Sequence, residues 1–114
     1  MKIAIVGSRD WPVNPQKIWR YIDRLDPGVD VILSGAARGV DSIAAAYGRK
    51  NNFRVMEFKA DWDNLGRGAG YIRNEALVAA ADKVVAFWDG ESKGTKHSID
   101  LALEAHKSLE VIFP

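Results

Sequence analysis

The stretch Lys2-Ile3-Ala4-Ile5-Val6-Gly7-Ser8-Arg9-Asp10-Trp11 decides the fold class. After Lys2 it is apolar and largely β-branched with no polar alternation, the pattern of a strand covered on both faces, and it ends on a glycine turn. Working outward, similar short runs recur at Asp30–Leu33, Phe53–Phe58, Lys83–Phe87 and Leu109–Phe113. Between them, apolar residues fall at helical spacing: Ile18, Ile22 and Leu25; Val40, Ile43, Ala44 and Tyr47; Ile72, Ala76 and Ala80; Ile99, Ala102 and Leu103. Five strands alternating with four helices predict a doubly wound α/β domain built on a parallel sheet. Pro12 and Pro15 suit the loop entering the first helix, and Asp26-Pro27-Gly28 stops it.

Length and composition bound the function. A chain of 114 residues, 47% hydrophobic and 27% charged, predicts one globular domain over residues 1–114 and excludes collagen, coiled coil and disordered tail. Sixteen basic against fifteen acidic residues leave a net charge of +1, so no whole-protein field gathers nucleic acid or an anionic membrane. The absence of cysteine excludes a disulfide scaffold, thiolate metal sites and cysteine nucleophiles. Four apolar residues, Ile3 to Val6, are too few for a signal peptide or a membrane span, so the expected location is the cytoplasm. His97 and His106 read as helix surface and Asp61-Trp62-Asp63 as a solvated loop, so neither a metal site nor a cofactor is expected.

The glycines and tryptophans point to a site. Gly7, Gly35, Gly39, Gly66, Gly68, Gly70, Gly90 and Gly94 follow strands, as do Trp11, Trp62 and Trp88 and the arginines Arg9, Arg38, Arg67 and Arg73. In an open parallel sheet these turns gather at the carboxyl edge, where ligands bind. Guanidinium groups beside helix N-termini suit phosphate, and indoles suit a base or ribose. Tight turns need glycine and small cores are capped by tryptophan in any case, so it is the clustering on one edge that favours a ligand. The four turns hold seven bases (Arg9, Arg38, Lys59, Arg67, Arg73, Lys93, Lys96) and seven acids (Asp10, Asp41, Asp61, Asp63, Glu75, Asp89, Glu91). That balance suits a nucleotide with one or two phosphates better than a long nucleic-acid track. There is no G-x-x-x-x-G-K-[ST] phosphate loop, no G-x-G-x-x-G fingerprint and no G-x-S-x-G elbow, which counts against ATP hydrolysis, ordinary hydride transfer from NAD and serine hydrolysis.

Four stretches in order carry a family resemblance: Gly7 to Trp11, Ser34-Gly35-Ala36-Ala37-Arg38-Gly39-Val40-Asp41, Ala60-Asp61-Trp62 through Gly70-Tyr71-Ile72-Arg73-Asn74, and Ala86-Phe87-Trp88 through Gly94-Thr95. The chain resembles the SLOG superfamily of Rossmann-like domains, which includes the Lonely Guy phosphoribohydrolases and the DprA/Smf proteins, and most of all its small YspA/YpsA-related members. The resemblance implies a three-layer domain with strand order 3-2-1-4-5 and a nucleotide or nucleotide-derived phosphorylated small molecule at the C-terminal edge of the sheet. On that reading Gly7, Ser8, Gly35, Gly94 and Thr95 hold phosphate or ribose through the main chain. Arg9 and Arg73 are counter-charges, Asn74 orients Arg73 or a hydroxyl, Trp11 and Trp88 flank the base, and Ser34, Arg38, Gly39 and Asp41 complete the ligand-binding set.

Three activities follow from the resemblance. The first is a sensor, sequestering or regulatory domain that binds without turnover. The second is N-glycosidic cleavage of a nucleoside monophosphate, as in Lonely Guy enzymes with their G-G-x-G-T-x-x-E signature. Here only Gly94-Thr95 matches; Glu91 and Ser92 stand for the glycine pair and Ser98 for the glutamate, so no catalytic residue is assigned. Glycosidic cleavage needs a carboxylate near the ribose, and Asp41, Glu75 and Asp100 are the candidates to replace it. The third is DprA-like binding of single-stranded nucleic acid, ranked below a small molecule. A homo-oligomer is also expected, with Trp19 or Trp62 hidden at a symmetric interface.

Overall fold

The computed structural model describes residues 1–114. Its five strands are β1 (Lys2–Gly7), β2 (Val31–Ser34), β3 (Arg54–Glu57), β4 (Lys83–Phe87) and β5 (Ser108–Ile112). All pair in parallel in the order β3-β2-β1-β4-β5, with Ile3 level with Ile32 and Ile5 level with Val85. The helices are α1 (Gln16–Asp23), α2 (Val40–Lys50), α3 (Trp62–Leu65), α4 (Ala69–Ala80) and α5 (Lys93–Glu104), with a 3-10 turn at Gly66–Gly68.

The unbroken apolar runs have the cause expected of them. Side chains alternate across a strand, so β1 sends Ile3 and Ile5 to one face and Ala4 and Val6 to the other. Ile18 and Ile22 of α1 and Val40 and Ala44 of α2 close the first face; Leu77 and Val78 of α4 and Ile99 and Ala102 of α5 close the second. Both faces of the central strands are therefore dry, which makes the domain three layers deep.

The outer strands differ. Arg54, Met56 and Glu57 of β3 are exposed, because an edge strand has a neighbour on one side only. The segment after β3 also differs from the expected simple glycine turn. Asp61 caps a single helical turn by accepting from the Asn64 N–H at 3.3 Å, and the 3-10 turn then leads into α4. No helix is long and apolar enough to cross a membrane.

Candidate functional site

The chain leaves β1 toward β2 on one side of the sheet and returns after β3 to place β4 on the other side of β1. The turns after β1 and β4 therefore diverge, and a cavity of about 490 Å³ opens between them. Its wall draws on every turn at the carboxyl edge: Gly7, Arg9 and Asp10 after β1, Ala37 and Asp41 after β2, Trp62 and Arg67 after β3, and Asp89, Glu91, Ser92, Gly94 and Thr95 after β4. Helix α4 adds Gly70, Tyr71, Arg73 and Asn74. A second cavity of about 300 Å³ adjoins the first, sharing Arg9, Ala37, Trp62 and Arg73 with it.

At the floor the charges of Asp41 and Arg73 influence each other. Asp41, in the first turn of α2, is only 5% exposed, and burial pushes its carboxyl up to about 6 against the opposing pull of Arg73 and of the Ala37, Gly7 and Gly35 N–H groups. Burial lowers the pKa of Arg73, Asp41 raises it and the neighbouring Arg9 lowers it further. Arg73 Nη1 donates to the Gly35 carbonyl and Nε donates to Asn74 Oδ1 at 2.8 Å. Asn74 Nδ2 donates in turn to Gly94 O at 3.4 Å and lies 3.2 Å from His97 Nδ1. Gly35 has to be bare, since a Cβ there would stand 2.7 Å from Asp41 Oδ2 and 3.1 Å from Arg73 Nη1. A chain of contacts thus ties the turn after β2 to α4 and to the start of α5.

The turn after β4 is organised by Asp89. Its Oδ1 accepts from the Glu91 and Ser92 N–H groups at 2.8 Å each, which with a Ser8 contact lowers its pKa and keeps it charged. The Asp89 N–H donates to Ser8 Oγ at 3.1 Å. Ser92 Oγ accepts from the Thr95 N–H at 3.4 Å and so caps α5 beside the cavity.

The structure brings Gly7, Arg9, Asp41, Arg73, Asn74, Gly94 and Thr95 together on the large cavity, with Gly35 on the small one. Ser8 and Ser34 are fully buried beneath it. Ser34 Oγ accepts from the Ala36 N–H at 3.2 Å and holds the turn in which Ala36 adopts φ +58°. Gly39, at φ +80°, faces the Ser8 and Arg9 carbonyls so closely that no side chain fits.

Like Ser8, Ser34 and Gly39, three further expected residues do not line either cavity. Arg38 points to solvent and pairs with Asp10 at 3.5 Å. Trp11 packs edge-on against Phe87, centroids 5.7 Å apart, and donates Nε1–H to Asn14 O. Trp88 packs against Phe113 and donates Nε1–H to Ser92 O at 3.1 Å. Both indoles are half-buried, and each gives its N–H to a main-chain carbonyl close by. The aromatic wall comes from Trp62 and Tyr71 instead, the latter edge-on to His97 at 4.6 Å. Arg67, Glu91 and Ser98 line the cavity as well. Of the three acids considered as replacements for the missing glutamate, Asp41 lies on the cavity, Glu75 is exposed on α4, and Asp100 pairs with Lys96 at 2.9 Å.

Comparison with known proteins agrees with this architecture. The chain is 38% identical over 113 residues to the Gene 61 protein of Mycobacterium phage D29, covering 91% of this chain and 90% of that protein. In fold it is similar to DNA processing protein A from Helicobacter pylori, described by its single-stranded DNA binding mode, with TM-score 0.74, 24% identity and 97% of this chain covered. It is also similar to DNA processing protein A (DprA) from Streptococcus pneumoniae, with TM-score 0.74, 18% identity and 96% of this chain covered. The chain spans 64% and 49% of those two structures respectively. Residues 1–64 match the sequence profile of a named group, and with the phage relative this places the molecule: the chain belongs to the YspA, cpYpsA-related SLOG family.

Proposed function

We infer that the large cavity binds a nucleotide or nucleotide-derived phosphorylated small molecule, and that the domain acts as a sensor, sequestering or regulatory unit. The observation that carries this reading is the meeting of Arg9, Arg67 and Arg73 with Asp41, Asp89 and two aromatic rings on one cavity at the β1/β4 divergence. Guanidinium groups take phosphate, charged carboxylates accept ribose hydroxyls, and Trp62 and Tyr71 offer π-faces to a base. Two experiments test it. Mass spectrometry of small molecules released from freshly purified, denatured protein is expected to recover a nucleotide in near-stoichiometric amount. The Arg9→Ala, Arg73→Ala double variant is expected to lose nucleotide affinity, and unchanged affinity would count against the reading. Release of free base from AMP by the purified protein would replace binding with hydrolysis.

A second reading is single-stranded DNA binding. It is favoured by Trp62 and Tyr71, which are 50% and 46% exposed at the cavity rim, and by the fold shared with the Helicobacter pylori protein. Exposed aromatics stack splayed bases at about 1–3 kcal/mol each. Fluorescence anisotropy with labelled oligo-dT at two salt concentrations separates the two: tight, steeply salt-dependent binding belongs to the polymer.

A further inference from the structure

The two adjoining cavities differ in charge. In the large one, Arg9, Arg67 and Arg73 face Asp10, Asp41, Asp89 and Glu91. In the small one, Arg9, Arg73 and Lys59 face a single carboxylate, Glu57, which is already paired to Arg49 outside the cavity. The small cavity therefore has an excess of positive charge that the large one lacks. Between them stands Trp62, whose ring end lies over Gly70, where a Cβ would come within 3.1 Å of Trp62 Cη2. Arg9 and Arg73 border both spaces, so a group held by them in the large cavity has the small one as its next neighbour.

We propose that the small cavity is an anion subsite, formed by Lys59 with Arg9 and Arg73, that receives a second phosphoryl group of the ligand. The site then takes nucleoside diphosphates or diphosphate-linked derivatives in preference to monophosphates. The carboxylate-rich large cavity holds the sugar and base, the first phosphate sits at Arg9 and Arg73, and the second passes beneath Trp62 toward Lys59. This rests on the nucleotide reading above and adds the direction in which the ligand lies. It also gives a role to Lys59, which is exposed and makes no hydrogen bond or ion pair of its own.

The test is calorimetric titration of the whole chain with the mono- and diphosphates of adenosine, guanosine, cytidine and uridine, in magnesium-free buffer, for wild type and Lys59→Ala. For at least one base the diphosphate is expected to bind about tenfold tighter than the monophosphate. Lys59→Ala is expected to remove that advantage while leaving monophosphate affinity unchanged. Equal affinity for the two forms, or a variant that weakens both alike, overturns the subsite and leaves the nucleotide reading standing. Inorganic phosphate that strengthens monophosphate binding, with no preference for the diphosphate, assigns the cavity to a free ion and also overturns the proposal. If no mono- or diphosphate binds, both readings fall together.

Discussion

Burial pushes Asp41 toward its neutral form. Its carboxyl titrates near 6 in the folded chain against an ordinary value of 3.8, so the folded state binds the proton more tightly than the unfolded one. The stability contributed by the protonated form is complete below about pH 4 and is lost as pH rises through 6. The span between the two values corresponds to about 3 kcal/mol. Asp41→Asn, which removes the charge and keeps the shape, is expected to stabilise the domain by about 3 kcal/mol at pH 7.5 and by under about 1 kcal/mol at pH 4. Urea unfolding across that range checks this, and a pH-independent difference would contradict it. Gly39 lies at the opposite extreme, where geometry decides rather than charge. A Cβ at φ +80° would meet the carbonyls of Ser8 and Arg9, and Gly39→Ala is expected to cost about 3 kcal/mol in the same assay. In the sequence Gly39 reads as a turn glycine and as part of the ligand-binding set. The close approach of two carbonyls that forbids a side chain there lies in the packing of one turn on another, which no run of residues records.

At the level of elements, α5 begins at the cavity and depends on one hydroxyl. Ser92→Ala removes the acceptor for the Thr95 N–H and is expected to destabilise the domain by about 1 kcal/mol, read as a lowered thermal midpoint. A valine or leucine at the same place would cost no less, whereas Ser92→Asp, which keeps a capping oxygen, is expected to retain stability. The major elements were readable because burial wrote them. Lys83–Phe87 has the same bounds in sequence and structure, since β4 is central and its apolar run begins right after Asp82 and Lys83. Helix α3 was not readable: Trp62–Leu65 is a single turn among aspartates and glycines, too short to show a period. That short helix fixes the place of Trp62, which lines the cavity where Trp11 and Trp88 do not. The positions of Trp11 and Trp88 just after strands were right, but the direction of a side chain depends on the carbonyl its N–H finds.

For the molecule as a whole, the family-implied strand order holds, and with it the gathering of four turns at one edge. A homo-oligomer is a proposal that one surface feature supports. Trp19 is 38% exposed while stacked on Tyr47, an apolar pair that a symmetric contact would cover. Light scattering is expected to give twice the chain mass for the wild type and the single mass for Trp19→Ser; a monomeric wild type removes the expectation. The four indoles also differ in what surrounds them. Trp11 and Trp88 are tied to carbonyls and Trp19 lies flat on a tyrosine, so Trp62 is left half in water on the wall between two cavities. The molecule therefore carries its own optical probe: ligand entry should shift and quench the emission of one residue in four, and Trp62→Phe should silence the signal while the other three continue to report that the domain is folded.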